Sequence, residues 1–250
     1  MDVKLKSFIL TCCMVCVTTI CFSETKQLTI GVEELEYYPH YTSNGGVYKG
    51  YAREFFDEFA KSKGYTIQFK SLPVKRLYKE FLNGDIDFKY PDSPYWQQDL
   101  KKEKSIQYSN AVADYIDGVM VLPENKGNGL DKLNNLGTMM GFTAWDYLDL
   151  INSQKIKLSE NNTFTGLLQQ VIIKRIDGAY VNVAVANYQI NEVLKKPGIL
   201  VFNANLPHTK GAYFCSTIKH PEIIKEMNTF LSERKTLVDE LQKKYQVNIE

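Results

Sequence analysis

The chain has 250 residues, with 30 Lys and Arg against 29 Asp and Glu, a formal net charge of +1 and a mean hydropathy of −0.29. A near-neutral chain without basic runs gives no support for nucleic acid or an anionic membrane as partner. Its length suits one large domain or two small lobes.

The first predicted element is an export signal over residues 1–23. Lys4 and Lys6 make a basic start, residues 8–20 are apolar apart from Thr and Cys, and Cys21 and Ser23 supply small residues for cleavage before polar Glu24. The apolar run falls short of the roughly 20 residues that span a bilayer. An uncleaved anchor is the rival reading. A lipoprotein signal does not fit, because Cys12 follows Thr11 and Cys21 follows Ile20. Cleavage near Ser23 leaves 28 basic and 28 acidic side chains and a single cysteine, Cys215. The processed monomer can therefore form no internal disulfide, and the fold must rest on its core. With no His near it in sequence, Cys215 reads as a buried inert thiol.

Beyond the signal, the elements alternate. Residues 28–32 read as a strand, and 51–62 as a helix whose Ala52, Phe55, Phe56, Phe59 and Ala60 share one face, stopped by Gly64. A strand at 65–69, a helix at 74–82 and a strand at 86–90 complete a β-α-β-α-β order, which predicts a mostly parallel sheet flanked by helices. A longer apolar strand covers 114–122, and a loop rich in Gly and Asn covers 123–129. The second half repeats the scheme. It has a strand at 137–142, a helix at 143–151, an extended piece at 156–158, and a helix at 163–174 with Asn162 as its cap. A strand at 176–182, a helix at 184–194 stopped by Pro197-Gly198, and a strand at 199–202 follow. Pro221, with His220 as a possible cap, opens a helical tail that ends near Tyr245.

Two segments share one pattern. Residues 79–88 and 167–181 each read as an amphipathic helix, a polar break, then Ile-Asp (Ile86-Asp87 and Ile176-Asp177) leading into a strand. A duplicated α/β unit implies two similar lobes, and a cleft between such lobes is where a small ligand is expected.

The order of short motifs resembles the family 3 periplasmic solute-binding proteins, the amino-acid-binding components of ABC importers. The resemblance covers nearly all of residues 27–246. It rests on the strand at 28–32, Tyr38-Pro39, Gly50-Tyr51 opening a helix, Asn83 to Asp87, Tyr108-Ser109 before a crossing strand, Ile176 to Val181, and Lys219 to Glu222. It implies a type II two-lobed α/β fold, each lobe a mixed, mostly parallel sheet flanked by helices, with the ligand between the lobes. The expected division is a signal at 1–23, lobe 1 at 24–112, lobe 2 at 113–207, and a return to lobe 1 with the C-terminal helices at 208–250. The resemblance also implies the periplasm, a monomer, no cofactor, and an ABC permease or a membrane sensor as partner.

The departures bear on the ligand. The family's carboxylate-binding Arg falls on Lys102, counted back from Ser109, and its ammonium-binding Asp falls on Asn182, counted from Asp177. Lys lacks the bidentate fork of Arg, and Asn has no charge for an ammonium. Lys102 can equally be part of a solvated helix face. Tyr38 matches the family's stacking aromatic, and Glu34 with Glu36 follows the first strand at an end that faces the crevice. Arg76 is either a substitute fork or a surface residue. Tyr90, Asp92, Ser93 and Trp96 occupy the loop after the third strand, stiffened by two prolines. Thr143, Trp145 and Tyr147 begin a predicted helix whose free N–H groups can receive an anion. An aromatic wall of Tyr38, Trp96 and Trp145 beside acidic groups predicts a small polar solute bearing an amine or a planar ring.

Three function classes follow: transport receptor, sensor on the same closure, and enzyme. Catalysis is the least supported. His40, His208 and His220 are isolated, and no metal spacing, phosphate loop or nucleophile elbow is present.

Overall fold

The computed structural model describes residues 25–43 and 46–247, so the signal reading lies outside it. In chain order the first lobe contains β1 (Gln27–Glu33), a small hairpin of β2 (Glu36–Tyr37) and β3 (Tyr41–Thr42), and α1 (Tyr51–Lys63). It continues with β4 (Thr66–Leu72), α2 (Val74–Asn83), β5 (Phe88–Asp92), α3 (Gln98–Lys101) and β6 (Gln107–Tyr108). The strand β7 (Ala113–Val121) then crosses into a second lobe of β8 (Asn135–Met139), α4 (Leu148–Asn152), β9 (Lys157–Asn161), α5 (Phe164–Ile172), β10 (Gly178–Asn182), α6 (Val183–Tyr188) and β11 (Val201–Phe202). The strand β12 (Thr209–Thr217) returns, and α7 (Pro221–Glu233) and α8 (Lys235–Tyr245) close the chain.

The main sheet runs β4-β1-β5-β12-β7-β10-β8-β9. Each end is parallel: β4, β1 and β5 in one lobe, β10, β8 and β9 in the other. The two crossing strands join them. Residues Thr209 to Tyr213 of β12 pair antiparallel with β7, whereas Phe214 and Ser216 pair with β5.

The duplicated sequence pattern has a duplicated structural basis. In lobe 1 a Cβ on Gly31 would lie 2.2 Å from Ile86 Cδ1 and 2.6 Å from Leu77 Cδ1; in lobe 2 a Cβ on Gly137 would lie 2.4 Å from Ile176 and 2.5 Å from Leu167. Helix and strand thus close on a glycine in both lobes. The aspartate after each isoleucine ties the turn to the neighbouring strand. Asp87 accepts from the Thr29 N–H at 2.8 Å, and Asp177 from the Asn134 and Asn135 N–H groups at 2.8 Å each. Burial alone would raise the Asp87 pKa, but Lys219, that N–H bond and His220 outweigh it and hold the carboxyl below its usual range.

Helix α1 buries Tyr51, Ala52, Phe55, Phe56, Phe59 and Ala60, and each large apolar side chain so buried contributes about 1.5–3 kcal/mol. The core is continuous between lobes. Tyr37 of the β2–β3 hairpin packs on Phe142 and Phe164 of lobe 2 at ring separations of 6.2 and 5.8 Å.

Some local expectations are corrected. The helix predicted over 143–151 is a 3-10 turn at Trp145–Tyr147 followed by the short α4, so Thr143 does not head an α-helix. The cap of α5 is Thr163, whose Oγ1 accepts from the Gly166 N–H at 3.1 Å, while Asn161 Oδ1 takes the Thr163 N–H. His220 makes no side-chain cap to α7; its own N–H donates to Thr217 Oγ1. The C-terminal tail is two helices, parted at Arg234.

Candidate functional site

Two groups of buried polar side chains lie where the lobes meet. The first belongs to lobe 1, around the end of β5. Asp92 is fully buried. Its Oδ2 accepts from Ser216 Oγ at 2.6 Å, and its Oδ1 from Lys101 Nζ at 2.7 Å and the Ser93 N–H at 2.9 Å. Lys101 also donates to the Ser93 carbonyl at 2.7 Å. Lys89, fully buried in the same strand, donates to the Pro91 carbonyl and stands 3.5 Å from Asp92. Its ammonium sits 4.3 Å from the centroid of the Tyr78 ring and 5.8 Å from that of Trp96. Burial lowers the Lys101 pKa, helped by Lys89 and opposed by Asp92. Glu33, at the end of β1, accepts from Tyr41 O–H at 2.6 Å. Burial raises its pKa against the opposing pull of Lys89 and that hydroxyl. This group is ion-paired and hydrogen-bonded throughout.

The second group forms a seam between the lobes. Asp117 of β7 stands directly across from Asn182 of β10 and from Thr209 of β12. Directly paired residues on antiparallel strands project from the same face, so all three share it. Asn182 caps α6 by accepting from the Val185 N–H at 3.1 Å, and its Nδ2 donates to Tyr213 O–H at 3.5 Å. Tyr213 in turn donates to Tyr37 O–H of lobe 1 at 3.4 Å. Tyr115 stacks on Tyr213 at 4.5 Å; it lies flat across β12 at Gly211, where a Cβ would sit 2.5 Å from its ring. Trp96 meets Tyr213 edge-on at 6.0 Å.

In contrast to the first group, the seam holds polar atoms without partners. Both ring nitrogens of His40 and Oδ1 of Asp117 are shielded from solvent and lack a hydrogen bond of ordinary geometry. Burial lowers the His40 pKa to about 3, Asn182 offsetting it slightly, so the imidazole is neutral at physiological pH. Burial, then the nearby Asp146 charge, raises the Asp117 pKa to about 7 despite Asn182. Asp146 itself is satisfied, accepting from Tyr180 O–H at 2.7 Å and Thr209 Oγ1 at 2.8 Å. Unpaired buried polar atoms are uncommon in folded proteins, and a cluster of them marks a place where a further partner is expected.

The candidates from sequence divide. Asp92, Ser93, Trp96, Tyr90 and Asn182 lie in or beside these groups, although Tyr90 packs into the lobe 1 core against Phe56 at 5.1 Å. Three candidates point away, and an adjacent residue points inward instead. Glu34 is exposed and Glu33 buried; Lys102 is exposed and Lys101 buried. Tyr38 packs on Tyr188 at 4.4 Å and Tyr245 at 6.1 Å, leaving Tyr37 on the seam. There Tyr38 lines an outer groove of about 470 Å³ between α6 and the end of α8. Arg76 is an exposed partner of Glu80 at 2.8 Å. Trp145 is 63% exposed, and Thr143 is exposed. Tyr147 is buried in lobe 2, donating to the Pro207 carbonyl at 2.9 Å. The aromatic wall is therefore Tyr37, Tyr115 and Tyr213 with Trp96 at its edge.

Sequence reasoning missed Lys89, Lys101, Asp117 and Tyr37, and noted His40 only as an isolated histidine. Lys89 and Asp117 carried a usable signal, since each is a charged residue flanked on both sides by apolar or glycine neighbours within a strand, a placement that calls for a partner or a function.

No family model and no curated sequence matches this chain. Solved structures do. A GluR0 ligand-binding core complexed with L-glutamate aligns at a TM-score of 0.69 and 12% identity, over 90% of this chain and 100% of that one. A substrate-binding protein of an ABC uptake transporter from Streptococcus pneumoniae, with bound histidine, aligns at 0.64 and 19%, over 88% and 92%. A histidine kinase sensor domain similar to periplasmic binding proteins aligns at 0.64 and 16%, over 88% and 96%. The chain has the two-lobed periplasmic-binding-protein fold. Among the described residues no helix is long and apolar enough to cross a membrane, and no three His, Cys, Asp or Glu side chains are grouped to hold a metal.

Proposed function

We propose that this chain is an exported solute-binding protein that captures a small polar solute between its lobes and delivers it to an ABC importer, without turnover of the ligand. The observation that carries this reading is the seam itself. Unpaired His40 and Asp117 lie beside Tyr37, Tyr115 and Tyr213, in a fold whose crossing strands let two lobes close. Structural relatives with bound histidine or glutamate support small-solute capture. An amine or planar ring suits the aromatic walls.

A second reading is a sensor that reports the closed state to a membrane signalling protein, favoured by the likeness to a histidine kinase sensor domain. Gene neighbours separate the two. Permease and ATPase genes favour delivery, and a receptor or cyclic-nucleotide enzyme favours sensing.

A thermal-shift screen tests capture, using purified protein refolded to strip retained solute, against amino acids, amines, nucleobases and organic acids. A ligand at about 100 times its Kd adds roughly 2.7 kcal/mol, a rise of about 5–10 °C at this size. No shift across the panel would count against small-solute capture.

A further inference from the structure

We propose that the seam selects an organic cation lacking a carboxylate, and that Asp117 is the residue that grips it. The inference rests on the solute-capture reading and adds the ligand's chemical class.

Asp117 makes no ion pair among the described residues, and the only charged neighbour that shapes its ionisation is another acid, Asp146. Its Oδ1 is shielded and unbonded. A carboxylate in this setting gains most from a cation that brings its own charge, with an N–H donor for Oδ1 as well where the cation is a primary ammonium or guanidinium. The groups around it cannot supply that charge. Asn182 is an amide, and Tyr37, Tyr115 and Tyr213 bring neutral rings and hydroxyls, with Tyr115 and Tyr213 stacked on each other. Aromatic rings beside one carboxylate suit an alkyl or quaternary ammonium, since a cation that reaches an open ring face gains about 0.5–2 kcal/mol.

Lobe 1 argues against a carboxylate on the same ligand. The buried cations there are Lys89 and Lys101, and both are engaged. Lys101 donates to Asp92 and to the Ser93 carbonyl, and Lys89 donates to the Pro91 carbonyl beside Asp92. Arg76, the other basic candidate, is exposed and paired with Glu80. A ligand carboxylate would have to break the Asp92 network, whereas a bare cation leaves it intact.

Isothermal titration with agmatine and choline, against arginine and succinate, tests the proposal on the refolded protein. Agmatine is arginine without its carboxylate, so that pair isolates the question. Agmatine or choline is expected to bind, with agmatine at least tenfold tighter than arginine, and succinate not to bind. D117N is expected to weaken the cation by about 30-fold or more, as for loss of one partner in a desolvated charge pair. D117E, which keeps the charge, should recover part of that loss. Absence of binding by both cations, arginine binding as tightly as agmatine, or D117N binding the cation like wild type would each overturn the proposal. Binding of succinate or a neutral solute alone would overturn the cation assignment and leave solute capture standing. Silence in the broad screen as well would remove both.

Discussion

Asp92 and Asp117 sit at the same lobe junction and have opposite surroundings. Asp92 is enclosed by Ser216, Lys101, the Ser93 N–H and Lys89. Asp117 has a carboxyl oxygen without a hydrogen bond of ordinary geometry, and His40 in the same seam has two such nitrogens. A fully satisfied buried network rigidifies a fold, and an unsatisfied one stores affinity for whatever completes it. Under the cation proposal, Asp92 holds the β5 loop and Asp117 meets the ligand.

The largest expected effect breaks the first half of this contrast. D92N leaves two buried ammonium groups without their counter-charge, a loss of about 3–5 kcal/mol. The melting midpoint should fall by about 6–20 °C, since 1 kcal/mol moves a domain of this size roughly 2–4 °C.

D117N should do the reverse in the ligand-free protein. An acid whose pKa is raised by folding to about 7 binds its proton more tightly when folded, so its ionisation costs stability as pH rises from its unfolded value, about 3.9, through 7. D117N removes that cost, and its midpoint should rise relative to wild type, by more at pH 8 than at pH 4. The groups that act on Asp117 or feel its charge, namely Asp146, Asn182, Tyr37, Tyr115, Tyr180 and Tyr213, remain in both proteins, so the difference between them reports Asp117.

His40 gives a smaller effect of opposite pH sign. Its folded pKa near 3 lies below the unfolded value, about 6.5, so folding loses stability as pH falls from 6.5 toward 3. Melts of H40N should decline less over that window than those of wild type. The smallest effect sharpens the comparison from outside. R76A and K102A, both at exposed positions, should change stability by no more than about 0.5 kcal/mol and leave agmatine affinity unchanged.

Much of the architecture was legible because periodicity and punctuation carry it. The Phe55-Phe56-Phe59 face, the Gly64 stop and the two Ile-Asp units predicted the alternation, and Ile86 and Ile176 close on Gly31 and Gly137 in both lobes. The site was harder to read because strand parity decides which of two adjacent residues faces in, and a shift of one reverses the answer. Glu33 for Glu34, Tyr37 for Tyr38 and Lys101 for Lys102 are all one-residue differences set by local backbone geometry. Asp117 and Asn182 lie 65 positions apart in sequence, and only the β7–β10 register brings them together. The 3-10 turn before α4 likewise reflects tertiary packing of Tyr147 against Tyr180, which no local propensity encodes.

The most direct test of the contrast is to melt wild type, D92N and D117N side by side at pH 8, with and without agmatine. The account predicts that D92N melts well below wild type without agmatine. It also predicts that D117N melts at or above wild type and that agmatine no longer shifts it. A D117N protein that melts lower than D92N, or that agmatine stabilises as it does wild type, would contradict it.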